Sequence, residues 1–455
     1  MTAPAVRPRP ARRAIDDLSL AVDDRAIEWS TTTEPDWLTA DRIAALAAYR
    51  ELPAETNLLY TPYIDLRAAQ LQDVQLAAGP GAGQIDDVVP AELDGLIEVE
   101  EGVLVARSRS DALARAGVTI DTVGATEAYD RFRDLLIDGG TLSSTDKFAQ
   151  LTRAAWSQAV VVEIPPGVTV ERPIVVRWSA GQAGSGVIGR TIVRLGDGAS
   201  ASVVEELVAS GDDALAAIEQ AFLAGTMEVW LGAGAKLQVA SLQELPTNVV
   251  AIQHRSANIG AGAKLQWALA QLGGRLIRSR VDNRLAGDRS SVRQVEIVFG
   301  ASDQLFDLTS YTTHIGRDTT GDLLSKAALL ERSRTYLKGL ITIEKTAIGT
   351  DSFLGEFGMN LSKAARSVAI PSLEIDQPDC RRAAHSSSVG PVDEGQLFYL
   401  ETRGIPPDEA RKFIVLGFLE PVVARVPLAS AQERLRELLE ARWIEGTGAA
   451  ASAAA

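Results

Sequence analysis

A short pattern recurs through the middle of the chain and restricts its fold more than any other feature. LGDGASASV begins at Leu195, LGAGAKLQV at Leu231 and IGAGAKLQW at Ile259, and a looser copy, LAGDRSSV, begins at Leu285. Successive starts are 36, 28 and 26 residues apart. Each copy has an apolar residue, a glycine-bearing corner, then alternating residues that close on an apolar one. Glycine supplies the backbone angles that a tight corner needs. A repeat of this length buries its apolar face by stacking on its neighbours. With β-runs and no helical segment between the copies, a β-helix is the best solution. An antiparallel β-sandwich with Gly-rich hairpins is the alternative that the pattern leaves.

By texture the chain divides in three. Residues 1–145 read as a mostly helical N-terminal region, residues 146–385 as the β-helix core, and residues 386–455 as a helical region ending in a disordered tail. Residues 1–35 are a Pro/Arg-rich arm with a short helix. In ADRIAALAAYREL, Ile43, Leu46 and Ala47 form the expected buried stripe, with Tyr49 at its margin. AYDRFRDLLID puts Tyr129, Phe132, Leu135 and Leu136 on one helical face. GLIEVEEGVLVARS alternates like paired strands. Two further β-runs flank a turn at Pro165, Pro166 and Gly167. Past the core, DEGQLFYLETRG opens with Asp393 and Glu394, which suit a helix N-terminus, and ends on Gly404, a terminator. PPDEARKFIVLGF restarts a helix with proline in its first turn, and SAQERLRELLEARW forms a third.

The net charge of −15 speaks against a general nucleic-acid binder, which needs clustered Lys and Arg, and against an anionic membrane surface as partner. A single cysteine excludes an intramolecular disulfide framework and fits a reducing compartment. MTAPAVRPRPARRAIDDLSL has no apolar core of a secretory signal, and no run of apolar residues is long enough to span a membrane. These features predict a cytoplasmic protein.

Few motifs carry chemistry. GAGAK at Gly232–Lys236 and Gly260–Lys264 imitates a phosphate loop, but neither lysine is followed by Ser or Thr and both copies continue into strands. Lys345-Thr346 has Glu344 where a glycine is required. They read as solenoid corners, so the chain shows no ATPase site of its own. His254, His314 and His385 are far apart in sequence, and one thiol cannot hold a zinc site or a cluster by cysteine alone. His254 and His314 read as structural or surface residues. The polar segment from Cys380 to His385 is a turn at the end of the β-body, or a site where His385 ligates a metal or moves a proton. Arg381 and Arg382 could favour a thiolate at Cys380. In an unbroken strand, Cys380 and His385 would face opposite sides. Asp146, Asp351 and Glu374 are acids of the kind β-helical carbohydrate-active enzymes use, with nothing in the sequence to make them converge.

Several of these stretches together resemble the SufB/SufD family of iron–sulfur cluster assembly proteins. They are PSLEID (Pro371–Asp376), His385, SVG at Ser388–Gly390, DEGQLFYLETRGI (Asp393–Ile405) and EARKFIVLGF (Glu409–Phe418). Asp146–Ile174, Tyr336–Phe353 and Asn360–Pro371 are similar too, so the likeness covers roughly residues 146–420. The resemblance implies a right-handed parallel β-helix flanked by helical regions. It implies a non-catalytic scaffold in a complex with a SufB-like scaffold and a SufC-like ABC ATPase, with a homodimer as a further pairing. A transient iron–sulfur cluster would be shared with the partner and not bound stably by this chain alone. His385 is then the cluster-interface and metal candidate. Leu397, Phe398, Tyr399, Arg403 and Gly404 are candidates for docking the ATPase. Family members commonly carry Cys two residues before this histidine; here that position is Ala383, which favours a SufD-like supporting role. The rival readings are a β-helical carbohydrate-active enzyme and a β-solenoid interaction protein without iron chemistry.

Overall fold

Two long parallel sheets, wound alternately by one chain, form a β-solenoid of about eight turns in a computed structural model that describes residues 16–124, 126–138 and 141–453. The Pro/Arg-rich stretch of residues 1–15 lies outside the described residues. The first sheet runs from strand Gln158–Ile164 to strand Arg366–Ile375, and the second from Ile174–Ala180 to Arg382–Gly390. Every pairing from turn to turn is parallel and in register, which removes the antiparallel sandwich.

The repeated motif is the corner from the first sheet into the second. Leu195, Leu231, Ile259 and Leu285 each end a first-sheet strand. The residue that turns the corner is left-handed: Gly198, Gly234 and Gly262 have φ of 68°, 69° and 65°. Arg289 and Asp318 hold the same place at 58° and 54° without being glycine. The amide of each corner donates to the next turn at 2.8 Å, as from Gly198 to Ala233 and from Asp318 to Ile348. A second glycine column has a different cause. A Cβ on Gly287 would stand 2.1 Å from the Ala261 amide nitrogen, because successive corners stack backbone on backbone. The longest motif spacing includes a short helix, Asp212–Ala216, inserted after strand Ser200–Ala209.

Most strands are buried on both faces; some read as apolar runs, such as Gln158–Ile164, while Val249–Ile259 buries Gln253, His254, Arg255 and Ser256. The interior packs one cluster, with Val203, Val239, Trp267 and Leu337 among its members. The outer face of the first sheet is covered by the N-terminal layer, in which Phe148, Leu151 and Trp156 pack on Ile188, Phe222 and Val250. The outer face of the second sheet is covered by helices Pro407–Val423 and Ala429–Ala453 through Val415, Leu419, Leu435 and Leu439. Tyr129, Phe132, Leu135 and Leu136 are buried together, as their spacing predicts. Helix Asp36–Glu51 departs from the predicted stripe. Its buried residues are Leu38, Arg42, Ala45, Leu46 and Tyr49, while Ile43 is exposed. The reason is Arg42, which reads as polar yet lies inside: it pairs with Glu34 at 2.7 Å and its guanidinium sits 4.0 Å from the Trp156 ring.

The two ends of the solenoid differ. At the first, strand Thr119–Thr122 pairs antiparallel with Gln158–Ile164, and the hairpin Gly95–Glu100 with Val103–Arg109 extends the second sheet. At the last, strands Arg366–Ile375 and Arg382–Gly390 are each paired on one side only.

Candidate functional site

The open end is where the polar segment falls. Arg382 donates its amide to Thr350 in the preceding turn. Donor direction alternates along a parallel strand. Ala383, His385, Ser387 and Val389 therefore turn their amides to the open edge. On the first sheet, Arg366 donates to Ser333 and Asp376 to Ile343, so Pro371 falls on the edge-facing set and has no amide hydrogen to offer there.

Side-chain direction follows from the rows. His385 lies over Leu354, which lies over Leu323, and both leucines are buried. Two residues before it, Ala383 packs against the cluster of Leu323, Ile341, Ile343 and Leu354. Residues 383, 385 and 387 thus share the inward face. Because no turn follows, His385 is exposed although it ends an interior row.

Cys380 behaves otherwise than the strand-parity reading expects. The strand begins only at Arg382, and the amide of Gly349 donates to the carbonyl of Asp379 as each corner does to the next. Cys380 therefore holds the corner position of the last turn. It is half-buried and packs with Leu373 and Ala383 against the interior cluster at the mouth. The arginines beside it are engaged elsewhere, Arg381 with Asp318 and Arg382 with Asp351.

The other histidines are structural. His254 lies under the N-terminal layer, its Nε2 2.5 Å from Asp282, whose carboxyl Arg280 also grips. Despite the cost of burial, Arg280 and His254 hold Asp282 well below the usual carboxylate range. His314 is sealed in the interior between Thr319 at 2.8 Å and Ser352 at 3.0 Å, and burial lowers its pKa to about 4. The three acids do not meet. Asp146 caps helix Lys147–Ala155 and pairs with Arg280, Asp351 pairs with Arg382, and Glu374 is the penultimate residue of the last first-sheet strand. Among the described residues no three His, Cys, Asp or Glu side chains gather as a metal site.

One group at the mouth escapes sequence reasoning. Glu356 sits on the row beneath Ser387, 1% exposed, and burial raises its pKa to about 8. Only the strand register brings it near His385.

Beyond the open end, helix Glu394–Glu401 buries none of its residues. Phe398 is 67% and Tyr399 57% exposed, and Phe413 on the next helix is 54% exposed. Leu397 turns partly into the layer beneath. Arg403 stacks on Tyr399, and Gly404 ends the segment at φ 84°.

Comparison with known proteins agrees with these features. Residues 177–418 match the family model described as SUF system FeS cluster assembly, SufBD core domain. The chain is 25% identical over 422 residues to the iron–sulfur cluster assembly protein SufD of Bacillus subtilis, covering 90% of this chain and 94% of that one. It is 26% identical over 322 residues to an iron–sulfur cluster assembly SufBD family protein of Mycobacterium tuberculosis, covering 69% of this chain and 78% of that one. A Staphylococcus aureus protein of the same description is 23% identical over 450 residues, covering 92% and 94%. No helix among the described residues is long and apolar enough to cross a membrane.

Proposed function

The chain belongs to the SufBD family of iron–sulfur cluster assembly proteins, and on that premise we propose that it is the SufD-like, non-catalytic scaffold of a cytoplasmic SufBCD-type complex. A nascent cluster, the cargo of the reaction, forms where the open end of its solenoid meets a SufB-like partner. The observation that carries this reading is the uncovered strand Arg382–Gly390, with edge-facing amides and His385 on its inner face. An open edge of that length is a template for strand addition. The imidazole of His385 contributes a nitrogen ligand, and thiolates come from the partner, because Ala383 offers none and Cys380 lies back at the corner. The exposed aromatics Phe398, Tyr399 and Phe413 supply the docking face for a SufC-like ABC ATPase, with Leu397, Arg403 and Gly404 fixing the shape of that segment.

The test is co-expression with the SufB-like and SufC-like subunits, followed by anaerobic purification and measurement of iron and sulfide. Ser387→Pro removes one edge-facing amide and leaves the ladder to the preceding turn intact. It is expected to cost the complex its SufB-like partner. Phe398→Asp with Tyr399→Asp is expected to release the ATPase and spare the scaffold pair. His385→Ala is expected to keep the complex and lose bound iron. Full partner recovery with Ser387→Pro, or full iron with His385→Ala, would overturn the corresponding assignment. Recovery of the chain as a pair of itself, held by the same edge, would mark a homodimer instead.

A further inference from the structure

One interior row carries three carboxyls: Glu205, Ser241, Leu269, Glu296, Ser325 and Glu356 follow one another from turn to turn, and Ser387 ends the row. The first two acids are answered by side chains. Glu205 accepts from Ser241 at 2.6 Å and pairs with Arg255. Glu296 accepts from Ser279 at 2.8 Å and Gln271 at 3.1 Å. Among the described residues Glu356 has one donor, the Ile370 amide at 2.8 Å, in the last strand of the first sheet. The wall facing it is Gly339, where a Cβ would stand 2.8 Å from its Oε1. A carboxyl in the final closed turn, without a side-chain partner among the described residues and with a glycine beside it, is costly to bury for packing alone.

We propose that Glu356 and His385 together form a nitrogen–oxygen site for a divalent transition metal, ferrous iron in the working complex, on the inner face of the last turn. The proposal rests on the reading of His385 given above and adds a second ligand to it. The two residues are on neighbouring strands, two positions out of register. With strands ~4.8 Å apart and alternate residues ~6.6 Å apart, their Cβ atoms are about 8 Å from one another. A metal bonded at about 2.1 Å to an imidazole and a carboxylate spans that gap. Nitrogen and carboxylate oxygen are donors that suit ferrous iron. As the metal binds, the carboxyl gives its proton to solvent and its oxygen exchanges the Ile370 amide for the metal. Iron remains ferrous, and water or the partner completes its coordination.

The test titrates the purified full-length chain with cobalt(II) chloride under anaerobic conditions, read by its visible spectrum, and with ferrous iron against a competing chelator. One equivalent is expected for the native chain. Glu356→Gln and His385→Ala are each expected to weaken binding at least 10-fold, and Glu356→Asp to retain part of the affinity. Circular dichroism and denaturation of each variant separate lost ligation from lost folding, and Glu356→Asp keeps the oxygen donor where Gln fails. Native-strength binding by Glu356→Gln, or no binding by the native chain, would overturn the proposal. If Glu356→Gln binds normally while His385→Ala complexes lack iron, this inference falls and the scaffold reading stands. If both variants bind metal and assemble iron normally, both fall.

Discussion

Glu356 accepts a hydrogen bond from the amide of Ile370 at 2.8 Å, and no cationic side chain among the described residues pairs with it. Its carboxyl therefore keeps its proton up to a pH of about 8, against an ordinary value of 4.5. Between these limits the unfolded chain loses a proton that the folded chain retains, so stability falls as pH rises. At about 1.4 kcal/mol per pH unit, the loss across the window is on the order of 5 kcal/mol. Glu356→Gln is expected to remove it. Urea denaturation at pH 5, 6.5 and 8 should find the variant more stable than the native chain at pH 8 and close to it at pH 5. Equal midpoints at pH 8 would contradict this account of the carboxyl.

His314 pulls the opposite way. Each ring nitrogen meets a hydroxyl, Thr319 on one side and Ser352 on the other, and nothing charged among the described residues supports a second proton. Its pKa is about 4 in the fold against 6.5 ordinarily, so the unfolded chain binds a proton that the folded chain refuses. This contribution is whole above pH 6.5 and is lost as pH falls towards 4. From about pH 4.5 to 6.5 it offsets the Glu356 effect, and above 6.5 the Glu356 effect acts alone. The native chain should show a flat stability profile and then a decline. His314→Asn should decline throughout, and Glu356→Gln should rise and then level off. Parallel profiles for the three proteins would reject the pairing of causes.

The corners give a test of backbone cause. Gly262→Ala meets no atom within 4 Å but must hold φ 65°, so its cost is conformational, about 1 kcal/mol. Gly287→Ala drives a Cβ into the backbone of the preceding corner and is expected to cost more, about 3 kcal/mol by the standard of overpacked cores. Arg289→Gly relieves a left-handed residue that has a side chain, and is expected to gain up to about 1 kcal/mol. Thermal denaturation should find Arg289→Gly the most stable of the three, Gly262→Ala next and Gly287→Ala the least. A destabilising Arg289→Gly would show that the arginine side chain supports the corner.

How much could be read from the residues is clear at these corners. Gly198, Gly234 and Gly262 announce the repeat because the angle selects glycine. Arg289 and Asp318 adopt that angle without the signature, glycine returns at Gly349, and Cys380 holds the last corner without it, so the period is broken towards the polar end. Ile43 misleads because apolar character stands in for burial, while the buried residue is Arg42, held by Glu34 and Trp156. His385 is legible through a family pattern of local sequence. Glu356 is not, since 29 residues separate it from its neighbour in space and only the register of two strands joins them.

The layer over the first sheet hides charges that hydrophobic patterning cannot reveal. Asp307 lies 2.5 Å from Lys338 and 3.1 Å from Arg278, and Arg278 also pairs with Glu55 at 2.9 Å. All four side chains are almost completely buried, and burial lowers the pKa of Lys338. Removing one member strands the others without solvent. Asp307→Ala is therefore expected to cost about 3–5 kcal/mol. Replacing the pair together, Asp307→Leu with Lys338→Met, leaves Arg278 to Glu55 and should recover much of that loss, because paired charges and apolar residues of similar volume are close in net stability once buried. Urea midpoints for the single and double variants decide between ionic and steric causes. If the double variant is no more stable than Asp307→Ala, the side chains matter here for their shape and not for their charge.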